Sequence, residues 1–80
     1  NYPNPFNPVT VISYRIPAVS RVHLKIYDIM GREVAVLVNE TLAAGEYQLR
    51  WNAAAFPAGI YFYILKAGGY RLTKKMMLVK

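Results

Sequence analysis

The sequence predicts an all-β fold, an antiparallel β-sandwich of six to seven short strands and about Ig-like size. Three observations carry that prediction. Apolar and polar residues alternate with period two along nearly every segment that is not a turn. Turn signals built on Asp, Pro and Gly recur between those segments. No segment keeps a helical period, and the one alanine run, Ala53-Ala54-Ala55, can form no more than a single helical turn.

The chain opens on Asn1-Tyr2-Pro3-Asn4-Pro5-Phe6-Asn7-Pro8. Each proline fixes φ and removes a donor, and each residue before a proline is pushed toward extended backbone. The segment is expected to be a stiff lead-in, not a strand or helix. It is expected to start the domain, with Phe6 anchored into one end of the sandwich. Thr10 to Ile16 then alternates, with Ile12, Tyr14 and Ile16 on one face, and Pro17 stops it. Val22, Leu24 and Ile26 form the inward face of the next strand, with His23 and Lys25 outward. Asp28-Ile29-Met30-Gly31 carries the Asp-first, Gly-fourth pattern of a type I turn. Arg32 to Val38 returns as the second arm of a hairpin.

Asn39 to Ala44 shows no period and is read as a connection. From Gly45 the alternation resumes, with Tyr47, Leu49 and Trp51 toward the core. Phe56-Pro57-Ala58-Gly59 is a second type I turn signature. Ile60 to Ala67 and Tyr70 to Val79 form the last hairpin around Gly68-Gly69, a two-residue loop of the primed kind. Such a loop sets the register: Leu65 faces Leu72, Tyr63 faces Lys74, and Tyr61 faces Met76 on one side. Lys66 faces Arg71, Ile64 faces Thr73, and Phe62 faces Lys75 on the other. Like charges opposed across a ladder belong in solvent, so Tyr61, Tyr63, Leu65, Leu72 and Met76 are assigned inward. Ile60, Phe62 and Ile64 are left on an outer face rimmed by Lys66, Arg71 and Lys75. No internal repeat is evident.

Eighty residues make one domain. A domain of that size buries only roughly 60–65% of its unfolded surface, so its stability margin is small. With no cysteine, nothing covalent staples it, and the 55% hydrophobic content must supply a dense core. No apolar run is long enough to span a membrane. The chain does not begin with Met and carries no signal peptide, so it is expected to be the C-terminal portion of a longer protein. The net charge of +6 favours acidic partners, but the cations are scattered and only Lys74-Lys75 adjoin, so nucleic-acid binding is not indicated.

The residues also argue against an enzyme. His23 is the one histidine and lies on the polar face of a strand. Asp28 and Glu33 flank a turn, and Glu40 and Glu46 have no implied cleft between them, so neither an acid/base pair nor a metal set is indicated. No phosphate loop or other cofactor motif is present. Trp51 is read as a core plug between the sheets.

Taken in order, several pieces of the chain resemble one known family. They are the opening Pro3-Asn4-Pro5-Phe6, then Ile26-Tyr27-Asp28 through Gly31-Arg32-Glu33-Val34, then Ala44-Gly45 ahead of the Trp51 strand. Gly59-Ile60-Tyr61-Phe62-Tyr63 and the closing Lys74-Lys75-Met76-Met77-Leu78-Val79-Lys80 complete the set. The chain is similar to the type A C-terminal sorting domains of type IX secretion cargo, found in Bacteroidota and related Gram-negative phyla. Asn52 departs from the family, whose members often carry Asp there; the departure bears on a local turn contact. The resemblance implies a folded address label on a secreted or cell-surface protein that reaches the periplasm by a separate signal. The implied partners are the outer-membrane secretion machinery, a sortase-like peptidase and an N-terminal cargo domain in the same chain. It also implies, in many members, removal of the label and attachment of the cargo to anionic lipopolysaccharide.

A tag of this kind needs a scaffold and a recognition surface. That surface is expected to combine the last strand, Lys74, Lys75, Met76, Met77, Leu78, Val79 and Lys80, with Phe62, Ile64 and Lys66 of its hairpin partner. Two other classes are an accessory Ig-like structural module and a carbohydrate-binding module of a secreted enzyme.

Overall fold

The computed structural model describes residues 9–79. The expected docking of the proline-rich opening through Phe6, and Lys80, lie outside the described residues. The described chain runs through six strands: β1 (Val9–Ile16), β2 (Ser20–Asp28), β3 (Glu33–Leu42), β4 (Gly45–Asn52), β5 (Gly59–Ala67) and β6 (Tyr70–Leu78). Among the described residues they form two antiparallel sheets, a pair β1-β4 and a four-stranded sheet in the order β3-β2-β5-β6.

The core lies between these layers and is built by the alternation read above. Ile12, Tyr14 and Ile16 of β1 and Trp51 of β4 come from the small sheet, and Val22, Leu24, Ile26, Tyr61, Leu65 and Leu78 from the large one. Val22, Leu24, Ile26 and Leu65 are wholly excluded from solvent. Burying each side chain of that size contributes about 1.5–3 kcal/mol before conformational entropy is set against it. The β5-β6 register is the one required by a two-residue loop at Gly68-Gly69, pairing Leu65 with Leu72 and Phe62 with Lys75. Gly68 has φ +60 and Gly69 does not have positive φ, the signature of a type II′ turn.

Three local expectations are corrected. Asn39 to Leu42 is strand, not connection: β3 runs opposite Ser20 to His23 for its full second half. No apolar alternation marks this half because Asn39, Glu40 and Thr41 are polar and exposed, although it pairs with β2 in unbroken register. The β2-β3 ladder shifts register in the first half of β3 instead, between Leu24 and Lys25 and between Ile26 and Tyr27. Each shift re-aims β3, so Val34, Ala35, Leu37 and Val38 all reach the core and read as a continuous apolar run. The alanine run makes no helical turn. Instead Phe56 N–H donates to the Ala53 carbonyl at 3.0 Å, so the hydrogen-bonded turn spans Ala53 to Phe56, three residues ahead of the Phe56-Pro57-Ala58-Gly59 signature. Asn52 Oδ1 accepts the Ala54 N–H at 3.0 Å, the contact an aspartate would make there, so the departure from the family pattern leaves this turn intact.

A short motif recurs that strand-by-strand reading misses. Ala44-Gly45-Glu46-Tyr47 opens β4 and Ala58-Gly59-Ile60-Tyr61 opens β5. In each, the tyrosine hydroxyl donates to the carbonyl four residues back, Tyr47 to Ala43 and Tyr61 to Pro57, both at 2.7 Å. These are tyrosine corners, which clamp the entry of a strand to the loop before it. The glycine two residues ahead of each tyrosine sits at φ +155 or +146, backbone that side chains rarely adopt. A Cβ on Gly59 meets nothing within 4 Å, so what glycine relieves there is backbone strain and not crowding. Around the second corner, Trp51 packs on Phe56 and edge-on against Tyr61, with centroids at 5.2 and 6.1 Å. Trp51 is thus the plug expected of it, 5% exposed.

The β2-β3 hairpin is tied by one carboxylate. Asp28 Oδ1 accepts the N–H groups of Met30 at 2.9 Å and Arg32 at 3.0 Å, and Oδ2 accepts Arg32 Nε at 2.8 Å. Gly31 N–H closes the turn on the Asp28 carbonyl at 2.9 Å. The Arg32 backbone N–H first, then the Arg32 guanidinium and the Met30 N–H, hold the Asp28 carboxyl below its ordinary value.

Two predictions follow from these clamps. Tyr61→Phe is expected to cost about 1 kcal/mol, because its hydroxyl bond is partly buried, and Tyr47→Phe less than half of that at its exposed corner. Gly59→Ala is expected to cost about 1–3 kcal/mol from backbone strain. Urea melts rank the three, and a Tyr47→Phe cost above that of Tyr61→Phe contradicts the assignment. For Asp28, a depressed folded-state value means its stabilisation is present above the unfolded carboxylate range and lost as pH falls through the folded value. The stability gap between the parent chain and Asp28→Asn is therefore expected to be widest at neutral pH and to close below about pH 4. Melts from pH 7 down to pH 2 read this directly.

Candidate functional site

Among the described residues, strand β6 pairs only with β5 and is one edge of the four-stranded sheet. Strand β3 is the opposite edge. The sheet's inner face packs on β1-β4, and its outer face meets no other element of the described chain. The register lays out that outer face in rows. One row runs Asn39, His23, Lys66, Arg71; the next Val36, Lys25, Ile64, Thr73; the third Glu33, Tyr27, Phe62, Lys75. Ile60 and Met77 pair beyond them.

The expected recognition residues divide between the two faces. Phe62 and Ile64 are half-buried on the outer face, and Lys66, Lys75 and Met77 are exposed there. Lys74 shares the inward row with Tyr63 but is exposed, since β6 is an edge. Val79 is 75% exposed just beyond β6. Met76 and Leu78 point inward, Met76 partly buried and Leu78 fully. Met76 packs against the core, and Leu78, opposite Gly59, is only 3% exposed. The tight Gly68-Gly69 loop puts both in the inward row, Met76 opposite Tyr61 and Leu78 opposite Gly59. They anchor the strand that the neighbouring side chains present. Lys80 lies outside the described residues.

The structure also adds residues to the face. Tyr27, Lys25 and His23 of β2 lie beside Phe62, Ile64 and Lys66 of β5. The alternation of β2 already put His23 and Lys25 outward, but only the pairing of β2 with β5 makes them neighbours of the hairpin. Two shallow grooves flank Ile64. One is bordered by His23, Lys25, Tyr27 and Lys66, the other by Tyr27, Phe62, Arg71 and Thr73.

The acids are spread over the molecule. Asp28 is held in its turn, Glu33 pairs with Lys25 at 3.2 Å, Glu40 lies on the β3 edge, and Glu46 faces Arg15 in the other sheet. Among the described residues no three His, Cys, Asp or Glu side chains gather into a metal-binding group. Burial pushes the Tyr63 phenol above its ordinary value, so at neutral pH it is an uncharged neighbour of Lys74. Tyr14 stacks on Tyr47 at 5.5 Å, and its phenol is raised likewise, by burial first and then by Tyr47 and Glu40. Among the described residues no helix is long and apolar enough to cross a membrane.

Comparison with known proteins gives one assignment. The family model described as the secretion system C-terminal sorting domain matches residues 1–80. No curated protein and no solved structure matches the chain. With the motifs of that family spread from one end of the sequence to the other, and with the match spanning the whole chain, this protein belongs to the C-terminal sorting domains of the type IX secretion system, the signals that take proteins across the outer membrane of Gram-negative bacteria.

Proposed function

We propose that the chain is a single non-catalytic label at the C-terminus of a longer secreted protein, read by the outer-membrane machinery through β6 and the outer face beside it. The observation that carries this reading is the position of β6. The family's closing Lys-Lys-Met run lies on a sheet edge that is unpaired among the described residues, next to the apolar Phe62 and Ile64. A free edge offers backbone groups to an added strand, and the flanking side chains supply specificity. The remaining motif residues, Asp28, Gly31, Gly45, Trp51, Gly59 and Tyr61, hold the scaffold. A sortase-like peptidase then removes the label and joins the cargo to anionic lipopolysaccharide at the surface of a bacterium of the Bacteroidota. The label takes part in that step as a substrate and supplies no reacting group or cofactor. The carbohydrate-binding alternative draws little from the fold, because Trp51 and Tyr61 are inside the sandwich and not in an exposed row.

Removing Met77 to Lys80 from a cargo fusion is expected to leave the cargo in the periplasm. Because that deletion also removes the buried Leu78, a second variant keeps it: Met77→Glu with Val79→Glu, both at exposed positions. This variant is expected to melt within a few degrees of the parent while export falls at least about tenfold, the loss of roughly 1.4 kcal/mol of recognition. Normal export of the folded variant sinks the β6 reading. Fractionating periplasm and medium, with circular dichroism as the folding control, decides it.

A further inference from the structure

The outer face of the large sheet has the anatomy of a protein-binding patch. Its centre is apolar, formed by Tyr27, Phe62 and Ile64 across adjoining strands, with Val36 49% exposed on one side and Met77 64% exposed on the other. Its rim is basic. Arg21, Lys25, Lys66, Arg71 and Lys75 all project to this side, against the carboxylates of Glu33, which Lys25 pairs with, and of Asp28, which borders the groove beside Phe62 and is held by Arg32. Lys66 and Arg71 are directly opposed across the ladder, an arrangement that is unfavourable in the free molecule. A negative group placed over that pair relieves the repulsion and is attracted by both cations.

We infer that this face docks an acidic protein surface with an apolar centre, covering all four strands and not only β6. The inference rests on the proposed reading of β6 as the recognised edge and names the chemistry of the partner. Charge complementarity selects the sign: a second copy of this chain brings the same cations and is repelled, whereas carboxylates find four basic side chains, Arg21, Lys66, Arg71 and Lys75, outside any ion pair among the described residues. The apolar centre selects the class. A charged glycan or a lipid headgroup layer has nothing to fill the grooves on either side of Ile64, while a protein places aliphatic or aromatic side chains there and carboxylates around them. Fixed opposite charges also accelerate encounter, which suits a signal that must be found among many periplasmic proteins.

The test uses the cargo fusion with Lys66→Glu, Arg71→Glu and Lys75→Glu together, all at exposed positions, and a control carrying Lys66→Arg, Arg71→Lys and Lys75→Arg. The probe is a fluorescent strand-forming peptide that alternates glutamate with leucine and tyrosine, beside a peptide with lysine in place of glutamate. The glutamate peptide is expected to bind the parent and the control alike. It should bind the reversed variant at least about tenfold more weakly, and lose affinity as salt rises from 0.05 to about 0.5 M. Ile64→Asn is expected to weaken it as well, and export of the reversed variant to fall with its fold intact by circular dichroism. Equal binding of both peptides overturns the inference. So does binding of dextran sulfate or phosphatidylglycerol vesicles that matches the glutamate peptide and ignores Ile64→Asn, since the face is then a site for anionic glycan or lipid. Normal export of the reversed variant alongside a block in Met77→Glu/Val79→Glu also overturns it and leaves the β6 reading standing. Normal export of both removes the two together.

Discussion

The antiparallel seam between β2 and β5 is the contact on which the rest of the molecule depends. It joins two hairpins that are local in sequence, β2-β3 and β5-β6, into one sheet. Val22, Leu24 and Ile26 meet Ala67, Leu65 and Tyr63 along it, and the first three are wholly excluded from solvent. Neither hairpin can bury its apolar face alone, and an isolated hairpin is marginal in water. The seam removes that deficit by giving each hairpin a neighbour and both a common inner face for β1-β4 to cover. The same seam creates the outer face, because it sets the cations and aromatics of β2 beside those of β5.

A chain this small without disulfides has to limit the freedom of its loops by other means. The tyrosine corners at Tyr47 and Tyr61 and the aspartate clamp at Asp28 do so with hydrogen bonds of 2.7 to 3.0 Å made within a few residues. Each bond is worth little in net terms, on the order of 1 kcal/mol. Their placement matters more, since the corners fix where β4 and β5 enter their sheets. The second corner also supports the Trp51-Phe56-Tyr61 cluster. The scaffold is therefore fastened where the strands begin, and β6 is left as an edge.

That edge is protected while it is free. Lys74 and Lys75 on an edge strand discourage pairing with a second copy, a common way of keeping sheet edges from aggregating. The same charges do not discourage an acidic partner. Met76 and Leu78, between and after the exposed residues, keep β6 seated on the core. Alternation thus divides the closing motif into residues that hold the strand and residues that show it.

Much of this was legible in the sequence. Period-two alternation marked the inward residues of β1, β2 and β4 correctly, and the Gly68-Gly69 loop set the β5-β6 register residue by residue, because side-chain direction and a two-residue turn are local properties. The Asp28 turn was legible for the same reason. The second half of β3 was not, since Asn39, Glu40 and Thr41 are polar and exposed and leave no apolar alternation to read, nor was the hydrogen-bonded turn at Ala53 to Phe56, which a side-chain contact from Asn52 supports. For the candidate site, the hairpin share, Phe62, Ile64, Lys66 and Lys75, could be read from the chain. The β2 share, Lys25, Tyr27 and His23, could not; Met76 was read as inward, as it is, and Leu78 lies inward beside it. The sequence by itself determined the strands, most of their faces and the family. Only the tertiary structure decided which strands are edges and which outward faces adjoin, because the pairings of β2 with β5 and β1 with β4 are made between segments far apart in the chain, where burial, not local geometry, chooses the partner.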